Sequence, residues 1–148
     1  MRTAEVCTRD VVATRRNTSL TDAAKLMREN HVGSIVILDD AEPNKPAGIL
    51  TDRDIVVSVV AAGLDNRTMT VGEVMSPGVV TAGEDDDALA TLKSMRRRGI
   101  RRMPVVDHTG ELCGIVSRDD LMEVAGGAID DIVGAITSER SLESWRRR

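Results

Sequence analysis

The chain of 148 residues contains no phenylalanine and no tyrosine, and Trp145 is its only tryptophan. That near-absence of aromatic rings removes the stacking platforms on which single-strand nucleic-acid binders rely. Cysteine is scarce too: Cys7 and Cys113 lie far apart, with only His31 and His108 to join them. No metal or redox spacing results, so no metal is expected and two reduced thiols of a cytosol are. Long apolar runs are missing. Stretches such as Ile35 to Leu38 fall far short of the ~20 residues that cross a bilayer, and Met1-Arg2-Thr3-Ala4-Glu5 leads into no apolar signal region. Basic charge is in deficit, 20 Lys and Arg against 24 Asp and Glu for a net charge of −4, whereas a general nucleic-acid binder shows the reverse. These absences leave a cytoplasmic protein with neither membrane nor nucleic acid as a partner. What is present is a folding composition, 41% apolar and 30% charged, in a chain long enough to bury a core.

That core is built from an internal repeat. A shift of 68 residues lays Glu5-Val6 on Glu73-Val74, Val11-Val12 on Val79-Val80, Met27-Arg28 on Met95-Arg96, and Asp39 on Asp107. The register then becomes 66, because the turn Asp39–Gly48 is two residues longer than Asp107–Gly114. Gly48-Ile49 then meets Gly114-Ile115, and Asp54 meets Asp120. A length change confined to a turn rich in Pro and Gly suits a surface hairpin.

Each unit reads β-α-β-β-α. A short extended piece (10–13; 78–81) precedes a helix whose apolar residues Leu20, Ala23, Ala24 and Met27 recur at helical spacing. Ser19 and Asp87 are the expected N-caps of the two copies. Strands follow at 34–38 and 47–51, and at 102–106 and 112–117, with closing helices at 52–62 and 118–125. The fold class is therefore α+β: two such units packed sheet to sheet about a pseudo-two-fold axis, leaving a cleft, plus a C-terminal helix. The units span 2–69 and 70–127, with 63–70 as linker and 128–148 as a helical extension. In that extension Ile129, Ile132, Val133 and Ile136 form a stripe that covers either a partner subunit or the chain's own domain.

The second hairpin strand runs directly into a helix in both copies, at Gly48-Ile49-Leu50-Thr51-Asp52-Arg53-Asp54 and Gly114-Ile115-Val116-Ser117-Arg118-Asp119-Asp120. A hydroxyl at the N-cap with a carboxylate three residues later is an ordinary capping box. It also suits a ligand. Helix N-terminal amides favour phosphate or ribose oxygens, a carboxylate can accept from both ribose hydroxyls, and glycine permits close backbone approach. Both readings stand on the sequence alone.

The duplicated order, the phrase Gly99-Ile100-Arg101-Arg102-Met103-Pro104-Val105-Val106-Asp107 and the two junctions together resemble tandem CBS domains, the cystathionine β-synthase-type regulatory module, in its stand-alone bacterial form. The likeness covers nearly all of residues 2–127. It implies a non-catalytic sensor of adenosine compounds: AMP, ADP, ATP, NAD or S-adenosylmethionine, none of them an obligatory cofactor. Carried over, Thr51 and Asp54 form one ribose site and Ser117 and Asp120 the other; Ile49 and Ile115 match positions that touch the base, and Arg53 sits in the first junction. The family's phosphate-reaching basic positions fall on Arg101 and Arg102 in the second repeat but on Gly33 and Ser34 in the first. The resemblance therefore implies unequal sites, with phosphate held where Thr51, Asp54, Arg101 and Arg102 meet. It also implies a homodimer acting on an unnamed regulated protein.

The remaining charge runs have simpler explanations. Acids Glu84 to Asp87 before a helix and Arg96 to Arg98 at its end follow the helix dipole, and Arg146 to Arg148 read as a frayed end. No catalytic residue is expected, since neither histidine has a nucleophile at a recognisable spacing. The competing function is a homodimeric interaction scaffold of the same fold that binds no nucleotide.

Overall fold

The computed structural model describes residues 1–146, so Arg147 and Arg148 of the terminal basic run lie outside the described residues. The elements are α1 (Thr3–Val6), β1 (Ala13–Arg15), α2 (Leu20–Asn30), β2 (Ser34–Leu38), β3 (Pro46–Thr51), α3 (Asp52–Ile55), α4 (Val71–Val74), β4 (Ser76–Pro77), β5 (Ala82–Gly83), α5 (Ala88–Arg98), β6 (Arg102–Val106), β7 (Leu112–Ser117) and α6 (Arg118–Arg146). One sheet has the order β1-β2-β3-β4 and the other β5-β6-β7. In each, a parallel pair (Ala13 beside Val36; Ala82 beside Val105) is followed by an antiparallel hairpin (Val36 beside Ile49; Pro104 beside Ile115).

Local chemistry sets the element ends. Ser19 Oγ accepts the Asp22 N–H at 3.1 Å and Asp87 Oδ2 the Ala90 N–H at 3.0 Å, so both expected caps are in place. The helices stop at equivalent left-handed residues, His31 (φ 53°) and Gly99 (φ 65°). The hairpin tips match as well. Asp39 accepts the Glu42 and Ala41 N–H groups, and Asp107 the Thr109 hydroxyl and the Thr109 and Glu111 N–H groups. Those donors hold both carboxyls below the usual carboxylate pKa.

The two copies exchange their leading segments. Helix α1, at the start of the first repeat, packs on the second: Thr3 N–H donates to Asp86 O at 2.8 Å, and Thr8 and Ile115 exchange backbone hydrogen bonds of 2.9 Å. Helix α4 makes the reciprocal move. Val71 N–H donates to Thr18 O, Val71 and Met75 join the core formed by Leu20, Met27, Ile35, Ile37 and Leu50, and Ser76 pairs with Ile49. A second core gathers Ala82, Met95, Met103, Val105, Val116 and Leu121, with Val6 and Cys7 against it. The exchange leaves little room for a side chain at the two junction glycines. A Cβ on Gly48 would stand 2.9 Å from the Ser76 carbonyl, and one on Gly114 2.7 Å from Cys7 Sγ.

Three expectations need correction. The extended pieces lie at 13–15 and 82–83 rather than 10–13 and 78–81. In the first copy Val36 N–H bonds the Val12 carbonyl at 3.0 Å; its counterpart, Pro104, has no N–H to give, so β5 starts one position later in the repeat and is shorter than β1. The helix expected over 52–62 is α-helical only to Ile55 and continues as a π-helical turn, Val56–Val60. Ile55, Val56, Val57, Val59 and Val60 crowd the backbone with branched Cβ atoms, and the wider turn buries Val59 while Val56, Val57 and Val60 stay exposed. Finally, the helix from Arg118 does not stop at Ala125 but runs for 29 residues. Gly126 and Gly127 cost about 1 kcal/mol each in a helix, and neither takes the positive φ that would end one.

Candidate functional site

The exchange of leading segments leaves two hollows between the repeats. The larger, about 530 Å³, is lined by Ile49, Thr51, Asp52, Arg53 and Asp54 from the first junction, Ser76 and Gly78 to Val80 from the exchanged segment, and Gly99 to Arg102 entering β6. The smaller, about 240 Å³, is built from the equivalent places: Thr8 and Asp10 to Val12, His31 to Ser34, and Ile115, Ser117 and Asp120, with Arg102 between the two. Only the larger falls in the 300–1,000 Å³ range of most small-molecule sites.

Thr51, Asp54, Arg101 and Arg102 thus share one hollow with Ile49 and Arg53, as do Ser117, Asp120 and Ile115 in the other. The expectation that the second hollow faces only Gly33 and Ser34 in place of the basic pair needs amendment, because Arg102 lines it as well. Residues not anticipated are His31, Asp10 and the two exchanged segments. Their signal was in the repeat register, which had already matched Val11-Val12 to Val79-Val80.

Both junctions form capping boxes. Asp54 Oδ2 accepts the Thr51 N–H at 2.9 Å and Thr51 Oγ1 accepts the Asp54 N–H at 3.1 Å; Ser117 and Asp120 repeat this at 2.7 and 3.1 Å. The copies differ in one proton. Ser117 Oγ also donates to Asp120 Oδ2 at 2.7 Å, whereas Thr51 Oγ1 accepts the Asp54 N–H and donates to none of the described residues. In both carboxylates Oδ1 stays out of the cap. Among the described residues the guanidinium groups of Arg53, Arg101 and Arg102 have no hydrogen-bond or ion-pair partner. The dipole of the four-residue helix α3 adds little beside the three guanidinium groups that line this hollow together with Asp52 and Asp54. The second hollow sets Arg102 and His31 against Asp10 and Asp120. The first is thus the more cationic of the two.

Among the described residues no group of three or more His, Cys, Asp and Glu side chains is placed to hold a metal ion, and no helix is long and apolar enough to cross a membrane.

Two successive stretches of the chain, 4–61 and 71–127, each match the CBS domain. The chain belongs to the CBS domain family. Among curated relatives of this CBS pair, the uncharacterized protein MK0525 of Methanopyrus kandleri is 38% identical over 81% of this chain, which spans 60% of that relative's own length. Hypoxic response protein 1 of Mycobacterium tuberculosis is 36% identical, over 85% of this chain and 87% of the relative. Solved structures agree in fold. The CBS domain protein PAE2072 of Pyrobaculum aerophilum, complexed with AMP, superposes with a TM-score of 0.75 at 28% identity, covering 85% of this chain and 99% of that one. The CBS pair of protein MJ0100, in complex with 5′-methylthioadenosine and S-adenosyl-L-methionine, gives 0.73 at 25%, covering 84% and 98%.

Proposed function

We propose that this CBS pair is a non-catalytic sensor that binds an adenosine nucleotide in the larger hollow and signals through contacts with a second copy or a regulated protein. The observation that carries this reading is the convergence of Thr51 and Asp54 on one hollow of about 530 Å³ with three guanidinium groups that have no partner among the described residues. Asp54 Oδ1 takes the ribose hydroxyls, and the Thr51 hydroxyl donates to a sugar or phosphate oxygen. Arg101 and Arg102 take the phosphates, for which guanidinium forks are geometrically suited. Ile49 packs on the base. The AMP-bound relative and the one holding two adenosyl compounds support the ligand class. The second hollow, with two carboxylates and one shared arginine, suits a smaller and less anionic adenosine compound at Ser117, Asp120 and Ile115.

Thermal-shift and calorimetric titrations with AMP, ADP, ATP, NAD and S-adenosylmethionine test the proposal. At a hundredfold excess over the dissociation constant a bound nucleotide stabilises by about 2.7 kcal/mol, which is roughly 5–10 °C for a chain of this size. Asp54→Ala abolishes that shift but also removes half a capping box. Arg101→Ala breaks no side-chain bond among the described residues, and is expected to weaken phosphate-bearing ligands selectively at unchanged stability. No shift with any of the five compounds, or equal binding to the Arg101 variant, refutes the reading.

A second reading, a scaffold of the same fold that uses no nucleotide, draws on one observation. The apolar side chains of the distal half of α6 are exposed.

A further inference from the structure

The stripe on α6 does not fold back on its own domain. Leu121 is 1% exposed, yet Met122, Ile129, Ile132 and Ile136 are 48–63% exposed, and every residue from 126 to 142 is open to solvent. This part of the helix contains Gly126, Gly127 and Gly134, at about 1 kcal/mol each, and helices in proteins draw most of their stability from packing an apolar face, which this stretch does not do within its own chain. Something must cover it.

We propose that the cover is α6 of a second copy, running antiparallel. Met122, Ala125, Ile129, Ile132 and Ile136 follow the alternating three- and four-residue steps of a coiled-coil seam. The next seam position is Glu139. A parallel pair would place the two copies of Glu139 directly opposite each other, like charge against like charge, inside the seam. The antiparallel pair, centred between Asp130 and Asp131, sets Ile129 against Ile132, Ile136 against Ala125 and Glu139 against Met122, so that the two copies of Glu139 lie at opposite ends of the seam. Its flanking row then brings Arg140 of one copy beside Asp119 of the other, at both ends of the two-fold. In the single chain the Asp119 side chain is 78% exposed, and among the described residues its one ion pair is with Arg118 at 3.5 Å. Charge thus selects both the partner, a surface carrying the same two signs in reverse order, and the direction. The pairing is independent of nucleotide, so its test is run without any.

Sedimentation equilibrium on the full chain provides that test, with circular dichroism to confirm folding of each variant. Expected is a dimer whose dissociation constant rises about tenfold in Arg140→Glu, as two cross-copy attractions become repulsions. The double variant Arg140→Glu with Asp119→Arg restores it. Ile132→Glu, at a position already exposed in the monomer, abolishes it. A monomeric wild-type chain, or a dimer indifferent to Ile132→Glu, overturns the proposal. A dimer that loses affinity in Arg140→Glu without recovering in the double variant overturns the antiparallel register.

Discussion

The exchange of leading segments can be tested through one buried pair of hydroxyls. Thr3 is 0% exposed and Thr91 4%, and their Oγ1 atoms lie 3.0 Å apart. Thr3 Oγ1 also lies 3.0 Å from the Asp86 carbonyl. A carbonyl can only accept, so Thr3 spends its single proton there, and Thr91 must donate to Thr3. The two hydroxyls are therefore not equivalent. Thr91→Val leaves Thr3 with its carbonyl acceptor and costs an ordinary hydrogen bond, about 0.5–1.5 kcal/mol. Thr3→Val strands the Thr91 proton in a sealed site and costs about 1–3 kcal/mol. The Asp86 carbonyl is not stranded with it, since it keeps the Thr3 backbone N–H at 2.8 Å. Replacing both hydroxyls removes donor and acceptor together and preserves shape, so the double variant should be no worse than Thr91→Val alone. The first repeat already works this way, with Val71 and Ala23 at the equivalent positions, both 0% exposed. Chemical denaturation of the four chains gives the cycle, and melting should shift by about 2–4 °C per kcal/mol. Additive losses, or a Thr3→Val variant as stable as Thr91→Val, would show that α1 does not seal the second repeat in solution.

Two further predictions concern backbone positions. Gly48→Ala should destabilise by about 1–3 kcal/mol, because the new methyl meets the Ser76 carbonyl oxygen at 2.9 Å, a backbone atom that cannot swing aside. Gly114→Ala should cost less, since its closest clash at 2.7 Å is with the Cys7 thiol, and Cys7→Ala should recover part of that loss; equal costs for the two glycines in urea titrations would contradict this account. His31→Gly should stabilise by about 0.5–1 kcal/mol by relieving a left-handed residue of its Cβ, making the first repeat copy Gly99 of the second; a lower melting temperature would mean that the imidazole makes a contact worth more than the strain.

Strands over 34–38, 102–106 and 112–117 and both long-helix caps could be read to the residue, because alternation, turn composition and capping are written within a few positions of one another. The exchange between repeats was less accessible. Hydropathy says that Val71 and Met75 must be buried but not against which copy. The π-helical turn after Ile55 was missed because apolar spacing reports which face is buried and not how many residues the turn holds. The continuation of α6 past Gly126 was missed because glycine ends a helix only when it adopts a positive φ. At the site, the junction carboxylates and the two arginines were visible as motifs. Asp10, His31 and Gly78 to Val80 reach it through the fold, from segments whose own sequence carries no chemical signature.

The inequality of the two hollows follows from a few positions at which the repeats differ. Pro104 stands where the first copy has Val36, and cannot make the bond that ties the Val12 carbonyl into its sheet. The segment 78–80 lines the hollow of about 530 Å³, while its counterpart 10–12, held to the sheet through the Val12 carbonyl, lines the one of about 240 Å³. Arg101 and Arg102 replace Gly33 and Ser34; Arg101 adds its charge to that hollow alone, while Arg102 lines both. A serine in place of threonine closes the opposite one, since Ser117 turns its proton inward to Asp120 where Thr51 does not. Space, charge and an available proton thus all fall on the same side. Their concentration on one hollow is what a chain needs if a single phosphate-bearing ligand is to be read by one cleft while the other serves a different ligand or none. Restoring symmetry should therefore be costly in only one direction. Pro104→Val with Arg101→Gly should abolish the proposed nucleotide response, whereas Ser34→Arg in the first repeat should not create a second phosphate site, because Asp10 and Asp120 still face it; calorimetric stoichiometry of two in that variant would refute the argument.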